Sequence, residues 1–314
     1  MRGGRSPTYS GAPPGRVPLR GSTTMRIACV IPSKNRSDGL TRLITSLHKQ
    51  TVTVDPLVVV DDGSDSPLSA EPDVRILRNE TSQGPARARN QGWQEVSSEP
   101  FVLFADDDVE FRDPMAVSKA LQYFRGEGRV GIVGFAQLEP SGLVRYVQPA
   151  DSAGSALTNR FYSYAFIAKR EALIDTLGFY EPLFYYMEEI ELSQRLLGMG
   201  WDIVFAHDAG VVHHEDSRGR NVRRIHELAL RNSLLIVLKN YPAWAVPPGL
   251  LKSFVNYFRS YSLGLGDAVV PALRGTAGFL RMALPALVER RSIGSRALLR
   301  YMALGRRPKD LRAL

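Results

Sequence analysis

The sequence predicts an α/β fold with a mostly parallel central sheet flanked by helices, followed by a helical C-terminal extension. Two observations predict the sheet: strands alternate with helices in the first half of the chain, and each strand is a nearly continuous apolar run. Helical spacing of apolar residues from about residue 221 onward predicts the extension. The 314 residues suffice for one large domain with such an appendage.

Each element has a local signal. Short β-branched runs predict buried strands, apolar residues at helical spacing predict helices, and Pro85 suits the first turn of a helix that follows Gly84. The first half has predicted strands at 26–31, 57–60, 74–77 and 101–104, and helices at 39–50 and 84–96. The second half has short strands at 130–135, 143–147, 161–168 and 202–205, a helix at 188–199, and helices from 221 onward.

The two termini differ from the body in composition. Residues 1–24 are rich in Gly, Pro, Ser and Arg and lack the apolar centre of a secretory signal. We therefore predict that they form a disordered extension and that Met25 is the true start. From residue 215 onward there are 18 Lys and Arg against 6 Asp and Glu, whereas the preceding residues hold 22 against 26. Such a basic tail suits phosphate groups, on nucleic acid or on anionic lipid.

Polar clusters follow three of the predicted strands: PSKNR after the first, DDGSD after the second and ADDD after the fourth. Ligands bind beyond the carboxyl ends of strands in such sheets. Three consecutive aspartates, Asp106 to Asp108, repel one another unless a cation neutralises them. Because side chains alternate, Asp106 and Asp108 should face one side and suit Mg²⁺ or Mn²⁺, while Asp107 should point away and tolerate replacement. A helix cap or a solvated turn is the alternative.

Two further groups of residues, the aspartates after the second strand and the arginines of the helix predicted at 84–96, also allow more than one interpretation. The turn at Asp61 and Asp62 contains ordinary turn residues, but a carboxylate at a strand end can also accept hydrogen bonds from a base or a ribose. Arg87 and Arg89 lie on the first turns of a predicted helix. There they can meet phosphate, hold the aspartate cluster, or form a solvated basic face.

Six segments together resemble glycosyltransferase family 2, which has the GT-A fold. In chain order they are VIPSKNR, VVVDDGS, GPARARNQG, FADDD, YYMEEIELSQRL at 185–196 and VVHH at 211–214. The resemblance covers about residues 26–240. It implies a GT-A catalytic domain at 25–240, with residues 241–314 as a basic helical extension. The chain departs from the family where it has Glu189, because the acidic pair usually ends in aspartate.

The resemblance implies an inverting, nucleotide-sugar-dependent enzyme of the hexosyltransferase type. Its donor is a nucleoside-diphosphate sugar, UDP- or dTDP-linked, and its acceptor is a hydroxyl group. Glu189 corresponds to the catalytic base, with Glu188 as the alternative. Asp108 and His213 correspond to ligands of Mg²⁺ or Mn²⁺, and His214 competes with His213. Donor contacts fall on Pro32, Lys34, Arg36, Asp61, Asp62, Arg87 and Asp106.

Other classes of function are less compatible with these residues. A sugar nucleotidyltransferase should have a glycine-rich phosphate loop after its first strand, where this chain has PSKNR. A nucleic-acid-binding role conflicts with the acidic clusters, which would repel a phosphate backbone. A non-catalytic sugar-nucleotide-binding protein would not need the acidic pair or His213. We therefore expect no nucleic-acid partner.

The location of the protein is predicted from its cysteine and its tail. Cys29 is the single cysteine and has no partner for a disulfide, which suits the reducing cytoplasm. No run of about 18 apolar residues predicts a spanning helix. In the tail, an apolar face comprises Leu250, Phe254, Tyr257, Phe258 and Tyr261. This face can pack on the catalytic domain or lie on the inner face of the membrane as a peripheral contact.

Overall fold

The computed structural model describes residues 26–69, 72–96, 98–126, 128–143, 148–149, 154–215, 221–260 and 265–311. The predicted disordered segment, the proposed start at Met25 and most of the strand predicted at 143–147 lie outside these residues. The strands are β1 (Ile27–Ser33), β2 (Val54–Asp62), β3 (Val74–Asn79), β4 (Phe101–Ala105), β5 (Val109–Glu110), β6 (Val130–Leu138), β7 (Ala156–Leu157), β8 (Ala165–Lys169), β9 (Asp202–His213) and β10 (Lys309–Asp310). The α-helices are α1 (Ser37–His48), α2 (Pro85–Glu95), α3 (Ala116–Gln122), α4 (Arg170–Thr176), α5 (Glu188–Gly198), α6 (Val222–Asn240), α7 (Val246–Ser260), α8 (Leu265–Val288) and α9 (Ser295–Arg306).

The described strands form one sheet in the order β10-β7-β9-β6-β8-β4-β1-β2-β3, with β5 paired to β9. The pairs β2–β3, β1–β2 and β1–β4 are parallel, and so is β6–β9. Strand β8 pairs antiparallel with both β4 and β6. The prediction of a mostly parallel sheet flanked by helices is therefore confirmed for the long strands. The antiparallel pairings are those of β8, inside the sheet, and of the two-residue strands β5, β7 and β10.

Helices cover both faces of the sheet, as the strand pattern requires. Successive side chains of β1 point to opposite faces, so Cys29 and Ile31 pack in one apolar cluster with α1 and α3. Ala28 and Val30 pack in a second cluster with α2 and α5. A Cβ atom at Gly92 would come within 2.2 Å of Val30, so this glycine allows α2 to approach β1 closely. Because α2 lies this close to β1, the first turn of α2 is held near the carboxyl end of that strand.

Helices α7 and α8 pack on α6. Leu230, Tyr257 and Ala272, one from each of α6, α7 and α8, share an apolar cluster against which Leu250 and Phe254 also pack. The predicted apolar face of α7 is therefore largely internal. Of its remaining members, Phe258 is exposed, and Tyr261 lies outside the described residues.

The last described elements, α9 and β10, return to the sheet. Leu304 of α9 lies in the apolar cluster that contains α5, and β10 pairs with β7 at the sheet edge. The part of the chain predicted as an extension is thus joined to the sheet and to α5 by packing and by backbone hydrogen bonds. Within the described ranges, every helix is too short or too polar to cross a membrane.

Candidate active site

A cavity of about 490 Å³ lies at the carboxyl ends of β1, β2 and β4, opposite the loop that precedes α5. Most of the residues predicted for the site line it. These are Pro32, Lys34, Arg36, Asp62, Asp106, Asp108, Glu188, Glu189 and His213. Asp61 and Arg87 are not among the lining residues.

The triple aspartate is neutralised by two arginines. The Nη2 atom of Arg89 lies 2.7 Å from Asp106, and the Nη1 atom of Arg36 lies 3.2 Å from Asp107 and 2.6 Å from Asp108. All three aspartates line the cavity. The repulsion between their carboxylates is therefore offset by Arg36 and Arg89, in addition to any bound ligand. These contacts depend on the helices α1 and α2, whose first turns carry or adjoin the two arginines.

The prediction that Asp107 points away is wrong. Asp107 is only 5% exposed and lines the same cavity, and its carboxylate accepts a hydrogen bond of 2.7 Å from Ser33 Oγ. Burial raises the pKa of this carboxyl to about 6, although Ser33 and Arg36 oppose the shift. The strand ends at Ala105, so the alternation assumed for three residues beyond it does not apply.

We accordingly expect Asp107→Ala to be costly. Removing the carboxylate leaves Ser33 without its acceptor and Arg36 with one carboxylate fewer, at a cost of about 1–3 kcal/mol. Urea unfolding of the variant measures this change. Unchanged stability together with unchanged donor binding would restore the original prediction that this position is tolerant.

Asp108 and His213 form a close pair beside Arg36. Nε2 of His213 lies 3.0 Å from Oδ1 of Asp108. Burial opposes ionisation of Asp108, yet His213 and Arg36 hold its pKa below the usual value. On the other side of the imidazole, Nδ1 lies 3.2 Å from the side-chain nitrogen of Gln137.

His213, rather than His214, faces the cavity. The ring of His214 is directed to Glu110, with 2.8 Å between its Nε2 and the carboxylate. Neighbouring residues at the end of β9 point to opposite sides, which separates the two histidines. Of the two candidates that the sequence left open, only His213 lines the cavity with Asp108.

The Asp108–His213 pair fits a divalent cation. Oδ1 of Asp108 is buried and receives no hydrogen bond of regular geometry from the described residues. Two neighbouring ligands of an octahedral Mg²⁺ ion with bonds of ~2.1 Å are themselves ~3.0 Å apart, which matches the pair. Among the described residues, no group of three His, Cys, Asp or Glu side chains forms a metal cage. An ion here would therefore need oxygen ligands from a substrate or from water.

Arg89 is the buried centre of the site. Its side chain is 2% exposed, and it reaches Asp106 at 2.7 Å and Glu188 at 2.9 Å. Of the roles that the sequence allowed for the arginines of α2, Arg89 holds the acidic cluster. Arg87 is two residues away and therefore about 200° around the helix. Its side chain is directed to solvent near Gln83 and Glu181, outside the cavity.

The two aspartates at the end of β2 have different surroundings. Asp61 is fully buried and accepts hydrogen bonds from the backbone N–H groups of Ser64 and Leu68 and from Arg78. It lies beneath the cavity wall. Asp62 lines the cavity and binds the loop that leads into α2, accepting hydrogen bonds from Gln83 and Gly84.

The two glutamates at the start of α5, Glu188 and Glu189, also differ in their surroundings. Glu188 is 3% exposed and accepts a hydrogen bond from Arg89. Within the described part of the chain, no side chain donates to the carboxylate of Glu189, which is half-buried. Burial, together with the neighbouring charge of Glu188, raises the pKa of Glu189 to about 8. Because Glu188 is held by Arg89, Glu189 is the member of the pair whose carboxylate is available to a ligand in the cavity.

The loop before α5 is held in place by a residue that the sequence analysis missed. Asn232 is fully buried in α6, and its side-chain amide donates to the carbonyl groups of Leu183, Tyr185 and Tyr186 at 3.1, 2.9 and 2.6 Å. Tyr186 and Met187 have left-handed backbone conformations in this loop. An asparagine within the apolar run of a helix is the only sequence signal for this role, and it is weak.

The raised pKa of Glu189 predicts a pH profile. The resemblance implies that Glu189 is the base, and a base must be ionised. Turnover should then rise with pH and level off above about 8, because the protonated fraction of Glu189 increases as pH falls through that pKa. An ordinary glutamate would give a flat profile from about pH 6 upward. Nucleotide release measured across this range distinguishes the two, and a flat profile would contradict the assigned environment.

Comparisons of the sequence with known proteins find glycosyltransferases. Residues 28–190 match the model of the family described as "Glycosyl transferase family 2". The chain is 28% identical over 227 residues to the pre-mycofactocin glycosyltransferase of Mycobacterium tuberculosis, a match that covers 65% of this chain and 46% of that protein. It is 26% identical over 183 residues to an uncharacterized glycosyltransferase of Haemophilus influenzae, covering 54% and 62% of the two chains. The chain therefore spans less than two thirds of the length of these curated relatives.

Solved structures show the same fold at low sequence identity. Staphylococcus aureus TarS 1-349 in complex with UDP-GlcNAc has a TM-score of 0.59 and 16% identity, covering 85% of this chain and 84% of that one. The mannosyltransferase PcManGT from Pyrobaculum calidifontis, in complex with GDP-Man and Mn²⁺, has a TM-score of 0.55 and 16% identity, covering 88% and 79%. These neighbours have the GT-A fold, which confirms the fold predicted from the motifs. Since the family model matches more than half of the chain, the protein belongs to glycosyltransferase family 2.

Proposed function

We propose that the protein is an inverting glycosyltransferase that moves a sugar from a nucleoside-diphosphate sugar to an acceptor hydroxyl, assisted by Mg²⁺ or Mn²⁺. One observation carries the proposal. A single cavity contains a pair suited to a divalent cation, Asp108 with His213, and a carboxylate of raised pKa, Glu189. Two further findings support sugar transfer from a nucleotide donor. The relatives in Mycobacterium tuberculosis and Haemophilus influenzae are named glycosyltransferases, and the neighbouring structures contain UDP-GlcNAc or GDP-Man.

The donor would lie along the strand ends. Pro32, Lys34 and Arg36 would line the nucleotide pocket, with Asp62 at its wall and Asp61 supporting it from beneath. Asp106, fixed by Arg89, would face the ribose. The nucleotide is expected to be UDP or dTDP. Arg87 lies outside the cavity, so it could contact the donor only at the outer edge of the pocket.

The reaction would be a single displacement. The acceptor hydroxyl gives its proton to Glu189 as its oxygen bonds to the anomeric carbon. The bond from that carbon to the donor's phosphate oxygen breaks, and the nucleoside diphosphate leaves from the opposite face, so the anomeric configuration inverts. A divalent ion bound at Asp108 and His213 would neutralise the negative charge on the departing diphosphate.

The acceptor would enter on the aromatic side of the cavity. Tyr162, Tyr164, Tyr185 and Tyr186 line this wall next to the acidic pair. Aromatic rings with polar tips suit a sugar-like or otherwise amphipathic acceptor. A second cavity, of about 430 Å³ between α5, α6 and α7, shares Tyr186 and Met187 with the first. It extends the acceptor side toward the C-terminal helices.

We further propose that the enzyme acts in the cytoplasm, with peripheral contact at the inner face of the membrane through its basic C-terminal helices. Cys29 is buried and unpaired, which suits a reducing compartment. The alternatives are weaker. A sugar nucleotidyltransferase lacks its glycine-rich loop here, and a non-catalytic binder has no use for a carboxylate such as Glu189.

Calorimetric titration of the full chain with a panel of sugar nucleotides tests the proposal. We expect UDP- or dTDP-linked sugars to bind more tightly with Mn²⁺ than with EDTA. Binding followed by release of free nucleotide supports the transferase. Binding without turnover favours the non-catalytic alternative, and formation of sugar nucleotide from a sugar phosphate and a nucleoside triphosphate favours the nucleotidyltransferase.

A further inference from the structure

The outward side of α8 carries a continuous row of exposed apolar residues. Leu273, Leu280 and Leu284 are 65%, 66% and 71% exposed. The members recur at alternating intervals of three and four residues, which places them on one side of a helix. This α8 row consists of Val270, Leu273, Ala277, Leu280, Leu284 and Leu287.

The exposure of the row follows from how α8 is seated. Its other side is fixed against α6, where Ala272 is buried and a Cβ atom at Gly275 would come within 2.7 Å of the Glu227 carbonyl oxygen. The helix therefore cannot rotate to bury the row without losing this contact. Isolated exposed leucines are ordinary, but a contiguous apolar surface on a folded chain marks an interaction site.

Arginines stand beside the row. Arg274 and Arg281 follow Leu273 and Leu280 on the helix, and both line a cavity of about 560 Å³ with Arg224 and Arg231 of α6. Glu227, an acidic residue of this lining, is already paired with Arg224. Among the described residues, no carboxylate lies within ion-pair distance of Arg274 or Arg281. The cavity therefore suits a phosphate group.

We propose that the α8 row and its flanking arginines form a docking face for an anionic membrane surface. The apolar row would enter the boundary between head groups and acyl chains, while Arg274 and Arg281 contact lipid phosphates. The sequence left two roles open for the apolar face of α7, internal packing or membrane contact, and most of its residues pack against α6 and α8. This inference deepens the proposed function and rests on it for its purpose, since docking would bring the cavity to lipid-linked acceptors.

Charge favours a membrane over a second copy of the chain. No acidic residue occurs in α8 between Asp267 and Glu289. Two copies packed through the row would thus place arginines near arginines, because the one carboxylate of α8, Asp267, lies in its first turn and already pairs with Arg223. An anionic bilayer satisfies the arginines and the apolar row together.

Vesicle flotation of the full chain tests the docking face. We expect binding to phosphatidylcholine vesicles that contain phosphatidylglycerol and little binding to phosphatidylcholine alone. The double variant Arg274→Gln/Arg281→Gln should bind roughly thirtyfold more weakly, about 2 kcal/mol. Leu280→Ser/Leu284→Ser should weaken binding by roughly tenfold or more, because apolar insertion is lost.

Matched substitutions on the catalytic domain serve as controls. Arg75→Gln and Ile174→Ser change an exposed arginine and an exposed isoleucine, and they should leave vesicle binding unchanged. The melting temperature and calorimetric donor binding show that every variant is folded. Because these readouts do not need vesicles, failure of docking is separable from failure of the transferase proposal.

Three results would overturn the docking face. They are vesicle binding that persists in both α8 variants, binding that does not depend on phosphatidylglycerol, and a dimer in light scattering that dissociates when Leu280 and Leu284 are replaced. The last result would assign the row to a second copy of the chain.

Discussion

Glu189→Gln is expected to reduce turnover by roughly 10²–10⁴-fold while donor binding changes little. The amide has nearly the same shape as the carboxylate but cannot accept the acceptor's proton. The donor would be held by the strand-end wall, which the substitution does not touch. Steady-state nucleotide release gives the first quantity, and calorimetric titration with the sugar nucleotide gives the second.

Two comparisons separate the base from a general loss of charge. Glu171→Gln changes an exposed glutamate on α4 and should be neutral. Glu188→Gln should reduce stability as well as activity, because Glu188 is a buried partner of Arg89. Full turnover in Glu189→Gln, or an effect confined to Glu188→Gln, would move the base to Glu188.

Asp108→Asn is expected to remove the effect of Mn²⁺ on donor binding and to reduce turnover by roughly 10²-fold or more. The substitution keeps the size of the side chain but removes the charge that pairs with His213 and Arg36. His213→Gln should have the same direction with a smaller effect, because the carboxylate remains. Titration of the sugar nucleotide at several Mn²⁺ concentrations measures the coupling.

Asp113→Asn is the matched control for this experiment. Asp113 lies outside the cavity, where it pairs with Lys119, and its replacement should leave the Mn²⁺ dependence intact. If Asp108→Asn retained the full Mn²⁺ dependence, the cation would have to bind elsewhere. Retention by His213→Gln alone would leave Asp108 as the single protein ligand.

The fold was predictable from local patterns because the strands are buried on both sides. Runs such as 57–60 are apolar throughout, and β2 contains them as predicted. The antiparallel position of β8 was not predictable, since pairing depends on contacts far apart in sequence. The strand predicted at 161–168 begins only at Ala165, because residues 162–164 line the cavity and Tyr164 donates to the carbonyl of Phe135.

The candidate site was predictable to the level of motifs but not of side-chain direction. The motifs brought together Asp106, Asp108, Glu189 and His213, all of which line one cavity. The sequence could not show that α2 directs Arg89 inward and Arg87 outward, because that depends on how the helix is seated on β1. Nor could it show that Asp61 is enclosed by its own turn.

The C-terminal helices illustrate the same limit. Apolar spacing identified an amphipathic face on α7, but spacing alone does not say whether a neighbour covers it. Here Tyr257 is buried against α6 and α8, while the outer side of α8 is left uncovered. Only the packing of the helices distinguishes a core face from a docking face.

The most direct test of the central claim is nucleotide release by the full chain from a panel of sugar nucleotides, with Mn²⁺ and with EDTA. The proposed chemistry predicts release from a UDP- or dTDP-linked sugar that requires the cation and is lost in Glu189→Gln. A chain that neither binds nor turns over any sugar nucleotide in the presence of Mn²⁺ would contradict it.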